Sequence, residues 1–300
     1  MNSQSVQEIC ERVDTAYIRF FKKLAKRPPK FKKPKYFKSF VLKVSGWSLS
    51  ENKLTINKVG TFKFSKSRYY ENIRRATVKR DKLGDIYLIV TCKMDPVKYK
   101  REGESSVGID FGLKTFLTCS DETEIESPLF FKKYQKEVKR ANRKLSTKKK
   151  GSKNSKKANK HLAKVYKDIF NKRNDFHWKL AHKLCKQNKF IAIEDLNINA
   201  MKMIWGKKIS DLSFSSFVVI LEQVSLKYGT VIQKIGRFYH SSKLCSCGTI
   251  NKELKLSDRT WTCQSCNLTH KRDLLASQNI LSEGIRLYRT KHKTSFLEAA

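Results

Sequence analysis

The chain has 300 residues, 39% of them hydrophobic, which is enough for two or three domains with their own cores and excludes a disordered tail. Its 65 Lys and Arg residues against 27 Asp and Glu residues give a formal net charge of +38, a self-repulsion that favours a polyanionic partner, above all nucleic acid. Without a long apolar span or a signal-peptide pattern, the sequence predicts no membrane partner and a cytoplasmic location, nucleoid-associated if the source is prokaryotic.

The first segment combines an amphipathic helix with a basic tail. Apolar residues recur at helical spacing over residues 6–24, and the pattern ends before Pro28. Lysines then alternate with aromatic residues over 30–38, a composition that suits phosphate contact and base stacking. A linker stiffened by proline is the alternative. The candidate nucleic-acid-binding lysines of this segment are Lys30, Lys32, Lys33 and Lys35.

Residues 40–94 are rich in β-branched and aromatic residues and predict a small barrel or sandwich. The strongest signal is a hairpin in which strands over 75–80 and 86–92 flank a Gly-Asp turn. Shorter strands are predicted over 40–44, 53–56 and 61–64. The polar residues 95–105, which include a proline and a glycine, are expected to link this region to the next strand.

An aspartate ends the next apolar run. Val107 and Ile109 predict a buried strand that Asp110 ends, and Gly112 then allows a tight turn into a second strand near Phe116. An unpaired carboxylate at the end of a buried strand is costly unless a cation shares the site. Plain turn chemistry is the alternative, because Asp is common just before Gly in turns.

A basic helical segment follows over residues 131–184, and the pattern predicts two long helices joined by a loop. His177 and His182 lie beside the apolar face of the second helix and are interpreted as packing residues rather than ligands. The loop is expected to contact nucleic-acid backbone, with solvated surface as the alternative. Its candidate binding residues are Lys148, Lys149, Lys150 and Lys153.

Two further acids occupy comparable positions. Glu194 ends an apolar strand, and Asp273 opens a predicted helix. Three such carboxylates can hold two divalent cations, Mg²⁺ or Mn²⁺, with Asp110 bridging the pair. This order of acids is typical of an RNase H-like nuclease core. Asp195 points to the other side of its strand and is assigned to a turn or cap. A helix over 211–228, a strand over 230–238 and a last helix over 272–287 complete the pattern.

Four of the eight cysteines lie between residues 245 and 266, whereas the others are scattered through apolar runs and are expected to be inert and buried. Two close pairs of thiolates are typical of a closed tetrahedral Zn²⁺ site that stabilises a small ribbon. The first pair has one intervening residue instead of two, so a defective pair in a partly disordered ribbon is the alternative. The predicted zinc ligands are Cys245, Cys247, Cys263 and Cys266.

Taken together, these motifs resemble one family. The motifs Gly-Ile-Asp-Phe-Gly at Asp110, Ile-Glu-Asp-Leu-Asn at Glu194, Ser-Ser-Lys before the cysteines and Arg-Asp at Asp273 closely resemble those of TnpB, the OrfB-type protein of bacterial insertion sequences. The resemblance covers most of the chain. It implies an RNA-guided DNA endonuclease with a split RuvC nuclease domain, related to type V CRISPR effectors, that cuts both strands in one site.

The resemblance also implies partners and residue roles. An RNA from the element's own end would be the guide, and double-stranded DNA would be the target, so that base pairing reads sequence while the protein reads a short motif and the backbone. Asp110, Glu194 and Asp273 match the family's catalytic triad, which binds magnesium. The four clustered cysteines match its zinc ligands. Neither the guide, the target motif nor the oligomeric state follows from the sequence.

The expected fold is α+β and multidomain, with an RNase H-like (RuvC) α/β core and an inserted zinc ribbon, preceded by a helix and a small wedge-like β-barrel domain. The expected domains are a basic helical segment (1–38), the β-barrel (39–104), the nuclease core (105–242) with a basic helical hairpin (about 131–186), the zinc ribbon (243–267), the last core segment (268–288) and a flexible tail (289–300).

Three departures from the family pattern keep other functions open. The chain is expected to be shortened at its N-terminus, Leu275 stands where Asn is common, and the first cysteine pair is one residue short. The alternative is a nuclease-deficient or decayed member that binds RNA and DNA as a repressor or as an accessory protein of transposition. A generic basic RNA-binding protein explains the charge but gives no reason for acids at strand ends.

Overall fold

The computed structural model describes residues 3–31, 33, 36–43, 45–93, 95, 97–255 and 257–292. The chain divides into two compact units. The first unit comprises residues 1–96 together with 159–164, and the second comprises 97–158 together with 165–300.

Among its described residues, the first unit contains one whole helix, residues 159–164 of a longer helix, and six short strands. The whole helix is α1 (Ser3–Phe21), and the strands are β1 (Ser39–Leu42), β2 (Trp47–Ser50), β3 (Lys53–Ile56), β4 (Gly60–Lys63), β5 (Ile73–Arg80) and β6 (Ile86–Cys92). The strands form two antiparallel sheets, in the orders β1-β5-β6 and β2-β3-β4. Inward side chains from both sheets meet in one buried cluster that includes Leu42, Leu54, Ile56 and Ala76.

This two-sheet arrangement fits the sandwich that the sequence offers as an alternative, and it replaces the predicted β-barrel. Among the described residues, no strand of one sheet is paired with a strand of the other. A closed barrel needs strand pairing all the way round, and that pairing is interrupted between the two sheets. The strand β2 was not predicted, whereas the β5–β6 hairpin lies where the pattern places it.

Helix α1 packs on β1 through its first turns. The Ser5 hydroxyl donates a hydrogen bond to the Val41 carbonyl (2.8 Å), and Lys43 forms an ion pair with Glu8 (3.7 Å). Cys10 lies on this helix and is exposed, so the expectation that all the scattered cysteines are buried is wrong. The reason is that α1 packs against the sheet on one side only.

The second unit is built on a five-stranded mixed sheet. Its strands are β7 (Ser105–Phe111), β8 (Thr115–Cys119), β9 (Glu124–Glu126), β10 (Asn188–Glu194) and β11 (Val231–Ile235), in the order β11-β10-β7-β8-β9. Strand β10 is parallel to both β7 and β11, whereas β8 and β9 are antiparallel neighbours. Because both faces of β7 and β10 are covered, these strands read as continuous apolar runs.

Six helices and a small hairpin complete this unit. They are α2 (Phe130–Lys133), α3 (Gln135–Ser146), α4 (Lys153–Gln187), α5 (Ile198–Leu212), α6 (Phe214–Tyr228), the hairpin strands β12 (Thr260–Thr262) and β13 (Thr269–Lys271), and α7 (Arg272–His292). Among the described residues, no single helix is long and apolar enough to cross a membrane. The consecutive helices α5 and α6, bent by 49° at their junction, meet the criteria of length and composition only as a pair.

The helix boundaries differ from the sequence pattern at three points. Helix α5 covers residues that the pattern leaves unassigned, and α6 begins at Phe214 rather than at Asp211. Helix α7 continues to His292, beyond the predicted end at residue 287. Asp211 instead caps α2, because its carboxylate accepts hydrogen bonds from the backbone N–H groups of Phe131 (2.8 Å) and Lys132 (3.2 Å).

The main core lies between the sheet and helices α4, α5 and α6. The ring of Phe116 is fully buried there and stacks on His177, with ring centroids 5.6 Å apart and planes at 15°. Burial, helped by the nearby charge of Arg173, lowers the pKa of His177 to about 4. This histidine is therefore neutral at physiological pH and acts as a packing residue, as the sequence predicts.

Helix α7 packs on the opposite face of the sheet, where two glycines permit close approach. A Cβ atom on Gly108 of β7 would lie 2.1 Å from the Ser277 carbonyl oxygen of α7. A Cβ atom on Gly284 of α7 would lie 2.5 Å from the Cβ of Ala192 in β10. Backbone packs against backbone at the first contact, so no side-chain rearrangement can relieve a clash there.

We therefore expect Gly108→Ala to lower the free energy of unfolding by at least about 1–3 kcal/mol, because the added methyl group overpacks the contact between β7 and α7. Urea unfolding followed by circular dichroism measures the change. Gly206→Ala is the matched control, because nothing lies within 4 Å of the added Cβ and alanine favours the helix by roughly 0.5–1 kcal/mol. Equal stability of the two variants would contradict the close packing.

Candidate functional site

Two of the predicted acids lie side by side because their strands pair in parallel. Asp110 is the penultimate residue of β7, and Glu194 is the last residue of β10. Ile109 pairs with Ile193, so the next residue of each strand is an acid at the same end of the sheet. Since side chains alternate between the two faces of a strand, both carboxylates point to one face.

The third acid, Asp273, comes from the first turn of α7. Because α7 packs against β7, Asp273 lies near enough to Asp110 for its negative charge to raise the pKa of that carboxyl. The structure thus brings the three predicted acids together. Among the described residues, however, the only group of three or more ligand atoms that all lie within 4.8 Å of one another is the cysteine cluster. The three acids are therefore neighbours, but their carboxylate oxygens do not all lie within 4.8 Å of one another.

Burial dominates the electrostatics of the two strand-end acids. It raises the pKa of Asp110 from 3.8 to about 7, with a further contribution from the charge of Asp273, and Arg272 opposes the change. Burial likewise raises the pKa of Glu194 from 4.5 to about 7, followed by the charges of Asp110 and Asp195. Two half-buried carboxyls whose pKa values are raised to about 7 suit a site that releases protons when divalent cations bind.

Arg259 is a site residue that the sequence analysis missed. Its guanidinium Nη1 lies 3.0 Å from Oδ2 of Asp273, so the third acid is paired with a cation. The pairing of β12 with β13 sets this contact, because Thr260 lies opposite Lys271 and the Arg272 N–H donates to the Arg259 carbonyl (2.9 Å). The sequence pattern does not show the register of the β12–β13 hairpin, and without that register the contact between Arg259 and Asp273 could not be predicted.

Asp195 and Glu222 have partners of their own. Asp195 pairs with Arg237 (Oδ2–Nη2 2.6 Å), and Glu222 pairs with Lys234 (2.7 Å). Their side chains are partly exposed. These ion pairs give both carboxylates a partner outside the cluster of Asp110, Glu194 and Asp273.

The candidate nucleic-acid-binding lysines are exposed where they are described. Lys148, Lys149 and Lys150 lie in the loop between α3 and α4, and Lys153 begins α4. Lys30 and Lys33 are exposed beside Phe31, whose side chain is 90% exposed. Such a ring is open to stacking by a base. The remaining two predicted lysines, Lys32 and Lys35, lie outside the described residues.

The four predicted zinc ligands converge. The Sγ atoms of Cys245 and Cys266 are 3.5 Å apart, and those of Cys247 and Cys263 are 3.7 Å apart. A tetrahedral site with metal–sulfur bonds of about 2.3 Å requires a separation of about 3.8 Å between sulfurs. The cluster therefore fits a metal ion. Ordered convergence argues against a defective first pair, and Gly248, at φ 89°, lets the chain turn directly after that pair.

Two further residues support this cluster. His270 Nε2 lies 3.1 Å from Sγ of Cys245, where it can donate a hydrogen bond to a thiolate, and its ring packs against Trp261 at 5.0 Å. Leu275 of α7 is buried against the same cysteines. The leucine found at this position in place of the family's common asparagine thus anchors the ribbon to the helix that carries Asp273.

The raised pKa values predict that, in buffer without Mg²⁺, the free energy of unfolding falls as the pH rises from about 4 to about 7. A carboxyl whose pKa is raised by folding binds its proton more tightly in the folded chain. Its stabilising contribution is therefore present at acidic pH and is lost as the group ionises. Asp110→Asn should reduce this loss by up to about 4 kcal/mol, measured by urea unfolding across the pH range.

Asp175→Asn is the control for this measurement, because Asp175 is an exposed residue of α4 that pairs with Lys179. The control should keep the pH dependence of the parent. The same dependence in Asp110→Asn would show that burial of this carboxyl carries no energetic cost.

The cysteine geometry predicts one tightly bound metal ion per chain, which we expect to be Zn²⁺. Cys263→Ser should lose this ion and lower the melting temperature, because the small ribbon has little core of its own. Elemental mass spectrometry and thermal unfolding measure both effects. Cys10→Ser, at an exposed position on α1, should keep metal content and stability. Unchanged metal content in Cys263→Ser would exclude the ribbon as the binding site.

Comparison with known proteins gives independent matches to two families and to a solved fold. Residues 89–204 match the OrfB_IS605 family, described as "Probable transposase", and residues 214–280 match the family described as "Cas12f1-like, TNB domain". The cryo-EM structure of a Cas12f1–sgRNA–target DNA complex superposes with a TM-score of 0.56 at 14% identity, covering 87% of this chain and 67% of the other. This likeness concerns the fold alone, which is multidomain and α+β.

Two relatives extend the likeness over most of the sequence. A protein of Streptomyces pristinaespiralis named "Putative RNA-guided DNA endonuclease" is 31% identical over 294 residues, covering 95% of this chain and 72% of the relative. "TnpB-like protein L79" of Acanthamoeba polyphaga mimivirus is 30% identical over 282 residues, covering 84% of this chain and 53% of the relative. The chain therefore belongs to the TnpB family, the OrfB-type proteins of insertion sequences.

Proposed function

We propose that the protein is an RNA-guided DNA endonuclease that hydrolyses phosphodiester bonds with Asp110, Glu194 and Asp273. The observation that carries the proposal is the parallel register of β7 and β10, which places two acids at one end of the sheet beside the start of α7. The Streptomyces relative, whose name describes the same activity, supports the reading. The proposed domains are those expected from the sequence, with two facing sheets in place of the β-barrel and with the last core segment continuing to His292. The predicted tail beyond His292 lies outside the described residues.

The sheet topology supports a RuvC-like assignment of the core. An antiparallel meander of β7, β8 and β9 is extended on its other side by the parallel strands β10 and β11. This is the strand arrangement expected for an RNase H-like core. The proposed catalytic acids lie on its two central strands and on the helix packed across them.

The three acids fit divalent cations such as Mg²⁺ or Mn²⁺, because hard oxygen ligands are what these ions prefer. Asp110 and Glu194 have no ion-pair partner among the described residues, and both have pKa values near 7. When bound, the two ions would supply an activated water and charge stabilisation for the leaving oxygen.

The chain's own residues have distinct tasks in this reaction. Asp110, between the other two acids, would bridge the ions, and Glu194 would complete one oxygen shell. Asp273 would exchange its pairing with Arg259 for the other shell. The guanidinium of Arg259 would then be free to face the anionic phosphate.

We further propose that the charge of the chain serves its nucleic-acid partners. A guide RNA and target DNA are polyanions, and the exposed lysines of the α3–α4 loop and of the segment around Phe31 offer phosphate contacts and stacking. Target recognition by base pairing with the guide leaves the protein to hold the backbone. Zn²⁺ at the four cysteines would be structural, because all four ligands come from the protein.

A second candidate is a family member that binds RNA and DNA without cutting, as a repressor or as an accessory of transposition. The Arg259–Asp273 ion pair favours this reading, since it neutralises one of the three proposed metal ligands. A buried acid cluster that is costly to ionise favours the nuclease instead. The two candidates differ in whether the bound target is cleaved.

We expect Asp110→Ala to abolish Mg²⁺-dependent cleavage of target DNA while the protein keeps its RNA, because the variant removes the bridging ligand from a site that does not hold the guide. The protein is purified after expression with its native flanking DNA, its RNA is sequenced, and cleavage is assayed on a matching target. Asp195→Ala is the control, since Asp195 follows Glu194 in the sequence but forms an ion pair with Arg237.

A discrete co-purified RNA with one constant end supports guided binding. Cleavage by Asp110→Ala at the parent rate would refute the assignment of the site. Bound target that even the parent leaves intact would favour the non-cutting candidate.

A further inference from the structure

A groove of about 500 Å³ lies between helix α4 and the outer edge of the main sheet. Ile125 of the edge strand β9 and Phe130 of α2 form one wall, and the stretch of α4 from Lys172 to Lys183 forms the other. Drug-sized ligands occupy pockets of about 300–1,000 Å³. The groove is therefore large enough for a single nucleotide.

The groove lies on the face of the sheet opposite to the acid cluster. Ile125 is paired with Leu117, which is paired with Phe111 of β7, and these three side chains pack in the core beneath α4. Asp110 precedes Phe111, so its carboxylate points to the other face, where α7 packs. The sheet thus separates a molecule in the groove from the carboxylates proposed to cut DNA.

Lysines dominate the charge of the groove. Lys172, Lys179 and Lys183 line it, and Asp175 is the one acid in that lining. Asp175 forms an ion pair with Lys179 (2.8 Å), and Lys172 donates a hydrogen bond to the Tyr134 hydroxyl. Lys183 is exposed and has no ion-pair partner among the described residues. Because Lys179 and Lys183 are neighbours one helical turn apart, they can contact one phosphodiester together.

Two phenylalanines add flat apolar surface. Phe130 and Phe176 both line the groove and are half-buried, with ring centroids 6.2 Å apart and planes at 71°. Nζ of Lys133 lies 5.9 Å from the centroid of the Phe130 ring, which places a further cation beside this surface. Rings and cations side by side suit the base and the phosphate of a nucleotide. A paired base is stacked inside its duplex, so only an unpaired nucleotide can enter.

Two features favour RNA over DNA as the occupant. A strand held across the sheet from the acids is not the strand being cut, and the RNA is the partner that has to stay intact. The ribose 2′-hydroxyl is also a hydrogen-bond donor that DNA lacks. Oδ2 of Asp175 contacts Lys179, which leaves Oδ1 of this carboxylate to accept a hydrogen bond from such a hydroxyl.

We propose that this groove binds one unpaired nucleotide of the guide RNA. Its base lies against Phe130, its phosphate is held by Lys179 and Lys183, and its 2′-hydroxyl donates to Asp175. This assignment rests on the proposed function, because that function supplies the RNA partner. The RNA is then anchored on one face of the sheet while DNA is cut on the other.

Three trinucleotides of equal charge test this assignment: a uridine trimer, its 2′-deoxy counterpart and an abasic RNA trimer with the same phosphates. Each is labelled and titrated into the full-length protein in buffer without Mg²⁺, and binding is followed by fluorescence anisotropy. Repeating the titrations at several salt concentrations counts the phosphate contacts. Each contact to a single strand adds about 0.7 to the slope of log affinity against log salt concentration.

The uridine trimer should bind the parent protein about tenfold more tightly than either of the other two trimers, because one hydrogen bond to a charged group, or one stacked base, contributes roughly that much. Asp175→Ala should remove the preference for ribose alone. Phe130→Leu should remove the preference over the abasic trimer alone. Phe170→Leu is the matched control, since Phe170 is 54% exposed on α4 outside the groove lining, and it should keep both preferences.

Lys183→Ala should weaken binding of the uridine trimer about tenfold and reduce the salt slope by about 0.7, because it removes one phosphate contact. Lys186→Ala is the matched control. Lys186 lies on the same helix but outside the groove lining, where it pairs with Glu102 (2.6 Å), so this variant should keep the affinity and the slope of the parent.

Equal binding of the ribose and deoxyribose trimers to the parent overturns the proposal, and so do preferences that persist in Asp175→Ala and Phe130→Leu. Equal weakening by Lys183→Ala and Lys186→Ala also overturns it, since lysines would then act only through the general charge of the chain. Circular dichroism confirms that the variants fold.

None of these measurements depends on cleavage. The proposed nuclease function fails instead if the parent with its RNA leaves a matching target uncut in Mg²⁺. The trinucleotides would then still establish or overturn the RNA site on α4.

Discussion

Parallel pairing of β7 with β10 is the constraint on which the second unit depends. The register that sets Ile109 opposite Ile193 also sets two acids together at the end of the sheet. The glycines at 108 and 284 then allow α7 to approach closely enough to add a third acid. Backbone geometry thus brings like charges together in a partly buried site, where ionisation of the carboxyls is costly. A bound divalent cation would offset this cost by neutralising the carboxylates.

This acidic site lies in a chain of formal charge +38, and under the proposed function the two features would act on different parts of the same substrate. The exposed lysines attract the phosphate backbone wherever it lies, with little regard to sequence. The acids repel it unless divalent cations are present. Under the proposed function, the surface would therefore hold a nucleic acid broadly, and its phosphate would reach the acid cluster only when cations are bound there.

The positions of the three acids could be predicted from sequence because each lies at or next to the end or start of an element, two of them after a buried apolar run. Their catalytic role stays a prediction. The core helices α4 and α6 followed from apolar periodicity. Helix α5 did not, since Trp205 has non-helical φ/ψ angles and breaks the period. Contacts set by tertiary packing were equally hidden. Asp211 caps a helix about 80 residues earlier in the chain, and Arg259 reaches Asp273 through hairpin register. Whether the first unit forms a barrel or two sheets depends on which strands pair, and the sequence pattern does not show that pairing.

The length of α4 sets the length of DNA duplex that could extend from one end of this helix to the other. Its 35 residues, Lys153–Gln187, extend over about 52 Å at 1.5 Å per residue. B-form DNA rises about 3.4 Å per base pair, so the helix is as long as about 15 base pairs. The lysine loop lies at one end of this span, and the strand that leads to Glu194 begins at the other. A duplex shorter than about 15 base pairs could contact one end of α4 but could not span both ends.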